Sequence, residues 1–387
     1  MSLEQFWSGK KRRRDDRGNC SAVEDQKRRE ASRVPCPVCG LLMTITKIDA
    51  HLESRCGEGA EPTPRSAAEN DFTRRFRREG AEELVSVKNT GSRKSDPVTL
   101  QNLESMGCPF EIVPNAVEPD LADDLAKMLM REAKASWKPS VWTVFNNTGG
   151  TNRLSATYRF GDQVAEREQD RPGSMQENAN RDADPSYVTP ETSMKRLRDS
   201  KIAMQEMVRK RFEERLARKL TQIQHGDKMY VEKWEPSFVL CNYYRDGTDG
   251  IAFHSDYLTA LGPRAIVAAL SLGSTRLFRW FKIDADTKQI FTAKLPHNHA
   301  VIMWPGAQEE WKHGVPTQAN DTIGVHPLTQ LARVSLTFRM RRPEVAENAP
   351  KCNCGRPAAL KYSTKLKRYF YKCNPNTTQT CDFFGNF

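Results

Sequence analysis

Five short runs rich in aliphatic and aromatic residues follow one another in the second half of this chain. Each run has six to eight residues, which is the usual length of a strand in a globular domain. Gly, Pro, Asn and Asp stand between the runs and favour turns. Such a series predicts a sandwich or a jelly roll, so we expect a mainly β (α+β) fold with a jelly-roll core and flanking helices. The runs are residues 237–244, 265–272, 276–281, 299–304 and 333–339.

Two histidines and one aspartate occupy defined places among these runs. His254 and Asp256 follow the first run after a turn rich in Gly and Asp, and His313 follows the fourth run and a Pro-Gly turn. Residues i and i+2 of a strand point to the same side, so His254 and Asp256 can reach one ion. Two imidazoles and a carboxylate are the ligand set of a non-haem iron oxygenase. Each residue alone is equally compatible with an ordinary surface or core position, and only the order favours a metal site.

The last run alternates polar and apolar residues. Arg333, Thr337 and Arg339 fall on one face of the predicted strand, and the aliphatic and aromatic residues fall on the other. A guanidinium can donate two parallel hydrogen bonds to a carboxylate, so this face suits a dicarboxylate ligand. The alternative is an amphipathic strand whose arginines are solvated.

Taken together, these motifs resemble the AlkB family of nucleic-acid dealkylating dioxygenases, in particular its DNA-repair branch. The resemblance covers about residues 109–342 and implies that His254, Asp256 and His313 bind Fe(II) as catalytic ligands. The segments that carry it are 242–247, 254–256, 270–278, His313 and 333–339. The residues implied to hold the co-substrate 2-oxoglutarate are Asn242, Tyr244, Arg333, Thr337 and Arg339.

Two positions depart from the family's usual pattern. Ser335 stands where Asn is usual, and Tyr257 stands where repair members often have an acidic residue that helps to read the damaged base. The segment 153–158 looks like a substrate-side segment of the family, and we expect Tyr158 to contact the base. The preferred substrate therefore stays open.

The resemblance implies oxidative dealkylation of N-alkylated DNA bases, with release of formaldehyde and succinate, in the repair of alkylation damage. The target base would have to be unpaired or flipped out of the stack. Two alternatives remain: demethylation of RNA bases, and a non-catalytic reader of DNA damage or ubiquitin.

Near the amino terminus, Cys36, Cys39, His51 and Cys56 form a set of three thiolates and one imidazole, which binds Zn(II) tetrahedrally. In a short segment, the metal replaces the missing core. The segment resembles the ubiquitin-binding (UBZ-type) zinc fingers of DNA-damage-tolerance proteins. The resemblance implies ubiquitin as a partner.

Near the carboxyl terminus, Cys352, Cys354, Cys373 and Cys381 form an all-thiolate set for a second Zn(II). Basic residues alternate there with aromatic residues, a combination typical of single-strand binding. Some of these aromatics must instead fill the small core. The segment resembles a GRF-type zinc finger, which implies binding to single-stranded DNA. The cations expected to contact nucleic acid are Lys365, Lys367, Arg368 and Lys372.

The whole chain carries 60 Lys and Arg against 49 Asp and Glu, an excess that fits an anionic partner. The basic run at residues 10–14 favours a nuclear protein, although a solvated charge run is the alternative. The preceding Leu3, Phe6 and Trp7 are spaced like a sliding-clamp-binding peptide. We expect a monomer with no membrane segment.

Five regions follow from these patterns. We expect a disordered tail at 1–33, the first zinc finger at 34–57 and a linker at 58–105. The dioxygenase domain is expected at 106–343, with a disordered insertion at about 161–192, and the second zinc finger at 344–387.

Overall fold

The structure, a computed structural model, divides into two compact units, Met1–Asp71 and Phe72–Phe387. In the first unit, the backbone is described for strands β1 (Arg33–Pro35) and β2 (Leu42–Thr44), which pair in antiparallel fashion. The described residues are 33–35, 42–44, 85–89, 96–97, 103, 106–144, 147–161, 190–218, 231–283, 289–373 and 381–387.

One layer of the second unit is a seven-stranded antiparallel sheet, the major sheet. Its strands are β5 (Phe110–Val113), β6 (Lys138–Val144), β7 (Asn147–Arg159), β8 (Phe238–Tyr244), β10 (Val267–Gly273), β13 (His299–Met303) and β15 (Arg333–Arg339). They follow the order β5-β13-β10-β15-β8-β7-β6. The central β10 is buried along its whole length because it is covered on both faces.

The second layer is a six-stranded antiparallel sheet, the minor sheet. Its strands are β3 (Val85–Asn89), β4 (Asp96–Pro97), β9 (Ile251–His254), β11 (Arg276–Lys282), β12 (Gln289–Leu295) and β14 (Trp311–Val315). They follow the order β4-β3-β12-β11-β14-β9. Val267 and Ala269 of the major sheet pack with Phe278 and Trp280 of the minor sheet in one apolar core. Two antiparallel sheets that face each other in this way confirm the predicted mainly β, jelly-roll fold.

Two long helices cover the outer face of the major sheet. In α1 (Pro119–Ser136), buried residues recur at helical spacing, with Leu125 and Leu129 among them. In α2 (Glu191–Ala217), Met204 and Val208 form a similar stripe. Both stripes pack against the outer face of the major sheet and form a second apolar core with the side chains on that face. The predicted insertion at 161–192 includes the start of α2, and its residues 162–189 lie outside the described part.

The expected linker at 58–105 is wrong at its carboxyl-terminal end. Strand β3 pairs with β12 over five residues, and Val85 and Leu103 are each only 1% exposed. A strand this short, set among charged residues, carries little periodic signal of its own. Its burial depends on a partner strand about two hundred residues later in the chain, which local sequence does not reveal.

The carboxyl-terminal module is a three-stranded antiparallel sheet, with β16 (Ala359–Ser363), β17 (Arg368–Lys372) and β18 (Phe384–Asn386) in that order. The helix α5 (Pro343–Glu347) leads into it. Its small core also includes Leu258, which belongs to the short helix α3 (Leu258–Leu261) of the two-sheet region. At the predicted boundary near residue 343 the chain therefore passes from the two large sheets to a separate small sheet, but the packing is continuous across it.

Two further short elements are the helix α4 (Ala307–Glu310) and the 3-10 turn at Asn320–Thr322. Among the helices of the described ranges, none combines the length and the apolar character required to span a membrane.

Candidate metal centre and its cavity

Pairing between β9 and β14 brings the two predicted histidine ligands together. His254 and His313 are direct cross-strand partners, and their ring centroids are 4.4 Å apart. Such partners have neighbouring Cβ atoms, so both imidazoles leave the sheet at one point. A Cβ atom at Gly314 would lie 2.7 Å from the carbonyl oxygen of Ile251, so a glycine is needed for this close approach of the strands.

Asp256 completes the triad just beyond the end of β9. The ligand atoms of His254, Asp256 and His313 all lie within 4.8 Å of one another, and His254 Nε2 is 3.7 Å from Asp256 Oδ1. His254 Nδ1 donates to the carbonyl oxygen of Ala252 at 2.9 Å, which leaves the Nε2 lone pair for a metal. The structure thus brings together the three residues that the sequence predicted.

The protonation states of the triad suit a divalent cation. Burial, and then the neighbouring His254, lower the pKa of His313 to about 3, and burial also lowers the pKa of His254. Burial alone would raise the pKa of Asp256, but the Arg339 guanidinium, together with His313 and His254, outweighs burial and holds that pKa far below its ordinary value. Neutral imidazoles beside an ionised carboxylate are the forms that bind a metal.

The triad opens into a cavity of about 300 Å³ between the two sheets. Apolar side chains of both sheets form its walls, among them Ile251, Phe278 and Val301. The residues predicted to hold the co-substrate, Asn242, Tyr244, Arg333, Thr337 and Arg339, all line this cavity. They reach it because β8 and β15 pair in a register that puts Arg333 opposite Tyr244 and Ser335 opposite Asn242.

Arg333 is the cation that a dicarboxylate would meet in the cavity. It is 2% exposed, its Nε donates to Ser271 Oγ at 2.9 Å, and its guanidinium lies 5.1 Å from the ring centroid of Tyr244. Its Nη1 is buried and has no hydrogen-bond partner among the described residues. A buried guanidinium nitrogen without an acceptor is costly, so a carboxylate in the cavity fits this donor.

Arg339 occupies a different place from Arg333. Its Nε and Nη2 donate to Asp256 Oδ2 and Oδ1 at 2.8 and 3.0 Å. Its guanidinium therefore holds a metal ligand, while its side chain still borders the cavity. Gln308 Oε1 fixes the same residue from the other side by accepting from the Asp256 N–H at 2.7 Å. Sequence reasoning missed Gln308, because it lies on a four-residue helix with no motif around it.

The expectation that Tyr158 contacts a base is wrong. Tyr158 is 2% exposed in the helix-side core, and its hydroxyl donates to Glu132 Oε2 at 2.6 Å. It pairs with Val239, which faces the helices, so the register turns it away from the cavity. The predicted segment is nevertheless close to the site, since Arg153 Nε donates to the cavity-lining Asn242 Oδ1 at 3.0 Å.

The four carboxyl-terminal cysteines also converge. Their sulfur atoms lie within 4.8 Å of one another, and Cys373 Sγ is 3.8 Å from those of Cys352 and Cys354. These two separations equal the edge of a tetrahedron with Zn–S bonds of ~2.3 Å, whereas Cys352 Sγ and Cys354 Sγ lie closer together, at 2.7 Å. Hydrogen bonds from Cys352 and Arg356 lower the pKa of Cys354 to about 6, which favours the thiolate that zinc requires. The donor set therefore fits zinc.

The expected nucleic-acid cations of this module differ in their surroundings. Lys365, Arg368 and Lys372 are exposed. Lys367 is exposed as well, but it also donates to Glu310 Oε1 at 2.8 Å and so takes part in the contact with the rest of the unit. The first zinc set, Cys36, Cys39, His51 and Cys56, lies outside the described residues, as do Leu3, Phe6, Trp7 and the basic run at 10–14. The associated ubiquitin, clamp and nuclear assignments stay predictions.

A jelly roll that carries two imidazoles and one carboxylate at the mouth of its cavity has the architecture of a non-haem iron oxygenase. A family model of the 2OG-Fe(II) oxygenase superfamily matches residues 112–339, which is more than half of the chain. This chain belongs to the 2OG-Fe(II) oxygenase superfamily.

Curated relatives are similar over a shorter stretch. Alpha-ketoglutarate-dependent dioxygenase alkB homolog 3 of Mus musculus is 34% identical over 113 residues, which are 27% of this chain and 37% of that protein. DNA oxidative demethylase ALKBH2 of Mus musculus is 30% identical over 113 residues, 28% of this chain and 44% of that protein. The chain thus spans less than half of the length of these relatives.

Among solved structures, a prolyl-4-hydroxylase of Pseudomonas putida matches with 14% identity and a TM-score of 0.31, covering 60% of this chain and 92% of that one.

Proposed function

We propose that this chain is an oxidative demethylase of N-alkylated bases in DNA that uses Fe(II) and 2-oxoglutarate. The observation that carries the proposal is the cavity itself, which both the metal triad and the buried cation Arg333 line. The similarity to a relative that is named a DNA oxidative demethylase supports the substrate class.

The residues divide the work between them. His254, Asp256 and His313 would hold Fe(II), which supplies the activation of dioxygen when it is bound with the co-substrate. Arg333 would take one carboxylate of 2-oxoglutarate, with Tyr244 and Thr337 beside it. Arg339 keeps Asp256 ionised and oriented. The apolar walls exclude water from the reacting carbon.

In the proposed reaction, one oxygen atom of dioxygen is inserted into a C–H bond of the N-methyl group, which becomes N-hydroxymethyl. The other oxygen atom is incorporated into succinate as 2-oxoglutarate loses carbon dioxide. The hydroxymethyl group then leaves the nitrogen as formaldehyde, and the base regains its ordinary form. The reacting carbon must reach the cavity, so the base must be unpaired or flipped.

The carboxyl-terminal module supports DNA as the substrate. Its cysteine set fits Zn(II), and its exposed basic residues suit single strands. Replacement of Cys354 by Ser should lower the zinc content of the purified protein by about one equivalent and should loosen the module, because a thiolate ligand is lost. An unchanged zinc content would contradict the assignment.

The decisive test is formaldehyde release by the full chain from methylated single-stranded DNA, with Fe(II) and 2-oxoglutarate present. We expect release from the wild type and none from His254→Ala, because that variant loses one of three metal ligands. Lys195→Met, an exposed change on α2, serves as the matched control and should retain activity.

Two outcomes would redirect the proposal. Faster release from methylated RNA than from DNA of the same sequence would favour an RNA demethylase. Tight DNA binding without 2-oxoglutarate turnover by a metal-loaded protein would favour a non-catalytic reader.

A further inference from the structure

The carboxyl-terminal module docks on the short helix α3 (Leu258–Leu261), which begins two residues after the metal ligand Asp256. Strand β16 forms the edge of its sheet, and the Leu360 N–H on that edge donates to Thr259 Oγ1 at 2.8 Å. On the inner side, Leu258 is 6% exposed and packs in the same cluster as Leu360, which is fully buried. The module is thus fixed to residues that stand two and three positions after a metal ligand.

A second set of contacts fixes the orientation of the module. The Tyr369 hydroxyl donates to Glu309 Oε1 at 3.0 Å, and Lys367 pairs with Glu310. Both carboxylates belong to α4, whose Gln308 accepts from the Asp256 backbone. The same four-residue helix therefore contacts the metal loop on one side and strand β17 on the other.

Tyr257 and Lys361 meet at the mouth of the catalytic cavity. Tyr257 lines the cavity, and Lys361 Nζ lies 5.3 Å from the centroid of its ring. Lys361 is half-buried, and no carboxylate forms an ion pair with it within the described part of the chain. Burial, and then the nearby Lys372, lower its pKa. A partly desolvated cation without a counter-ion is stabilised when an anion arrives.

Lys361 also belongs to a face of the module that suits single-stranded nucleic acid. The register of the sheet puts Lys361, Phe370, Lys372 and Phe384 on one face, because Lys361 is opposite Phe370 and Lys372 is opposite Phe384. The rings of Phe370 and Phe384 stack at 5.1 Å, and Phe384 is 55% exposed. Cations for phosphates beside exposed aromatic rings for bases are the combination that binds single strands.

We infer that Tyr257 and Lys361 form a joint subsite for the nucleotide next to the reacting base. Lys361 binds its phosphate, and the Tyr257 ring contacts its base or sugar at the cavity mouth. Beyond this nucleotide, the single-stranded DNA continues away from the cavity and contacts Lys372 and Phe384 on the same face of the module. This subsite rests on the proposed function, because its ligand is the DNA substrate of that reaction. One of its two residues follows a metal ligand and the other belongs to the carboxyl-terminal module.

The first test measures binding and needs no turnover. The full chain is titrated with an unmethylated single-stranded DNA oligonucleotide over a series of salt concentrations, by fluorescence anisotropy. Loss of one phosphate contact lowers the slope of log K against log salt by about 0.7 for a single strand. We expect this change for Lys361→Met and no change for Lys195→Met, which removes an equal charge from α2. Equal slopes in the two variants, or no measurable binding by the wild type, would overturn the subsite.

The second test asks whether the two residues act together. Tyr257→Leu and Lys361→Met should each raise the KM for methylated single-stranded DNA more than they lower kcat, and their effects should be non-additive in the double variant. Additive effects on KM would mean that the residues do not share a nucleotide. If the wild type releases no formaldehyde from any nucleic acid, the demethylase proposal fails, whereas the salt slopes still decide whether the subsite exists.

Discussion

Arg339 and Asp256 are joined by two parallel hydrogen bonds, although one residue ends a strand of the major sheet and the other follows a strand of the minor sheet. The bond pair ties the two layers together at the metal triad. The Arg339 guanidinium also balances the negative charge of Asp256 and fixes the orientation of its carboxylate. The geometry of the triad therefore depends on a residue that is not itself a metal ligand.

Arg339→Lys should weaken metal binding by roughly 10–100-fold, the usual effect of losing the partner of a metal ligand. A lysine keeps the charge but cannot donate to both carboxylate oxygens at once. Mn(II) affinity, measured by electron paramagnetic resonance, gives the readout without turnover. Arg341→Lys is the control, because Arg341 is exposed and lies over the Phe238 ring. Wild-type affinity in Arg339→Lys would show that the bond pair does not position Asp256.

Arg333→Met should lower the affinity for 2-oxoglutarate by at least tenfold, because it removes the buried cation that lines the cavity. Calorimetric titration of the Mn(II)-loaded protein with 2-oxoglutarate measures the effect. Arg131→Met, which changes an exposed residue of α1, should bind like the wild type. If both variants bind equally well, the co-substrate carboxylate lies elsewhere.

Leu258→Ala should destabilise the docking of the carboxyl-terminal module. The side chain is 6% exposed in the core of the module, and truncation of a buried leucine costs about 2–5 kcal/mol. Hydrogen exchange of β16 and β17 should speed up, since the packing that holds them to the loop is lost. Leu366→Ala, at a position that is 58% exposed, is the matched control. Equal exchange rates in both variants would refute the docking.

Acid should destabilise the segment around His326. Its ring stacks on that of His297 at 4.4 Å, and burial, then His297, lower the pKa of His326 from 6.5 to about 4. The unfolded chain therefore takes up this proton first, so the stabilising contribution is complete above pH 6.5 and is lost as the pH falls towards 4.

Urea unfolding between these two pH values provides the measurement. The free energy of unfolding of His326→Gln should fall less steeply with acid than that of the wild type, because the variant has no imidazole to protonate. The same pH dependence in both proteins would contradict the pKa assignment.

Local sequence was sufficient for the alternating face of β15, because that face depends only on the period of a strand. The triad was predicted from the order of its residues, since Asp256 lies beyond the end of β9 and the pairing of β9 with β14 brings His313 beside His254. Local sequence was insufficient wherever a second strand decides the outcome. Tyr158 could point to either side of β7, and its pairing with Val239 selects the helices. Val85 is buried because β3 pairs with β12. The contact of Lys361 with Tyr257 joins residues about one hundred positions apart, so a local sequence pattern cannot predict it.

The edge of β16 has a practical consequence. A chain shortened at residue 342 would lose the partner of Thr259 and would leave Leu258 uncovered beside the metal loop. Such a truncated protein would differ from the full chain in more than its affinity for nucleic acid, since a newly exposed leucine invites self-association. Point substitutions on the outer face of the module are therefore a cleaner way to separate strand capture from oxidation than removal of the module.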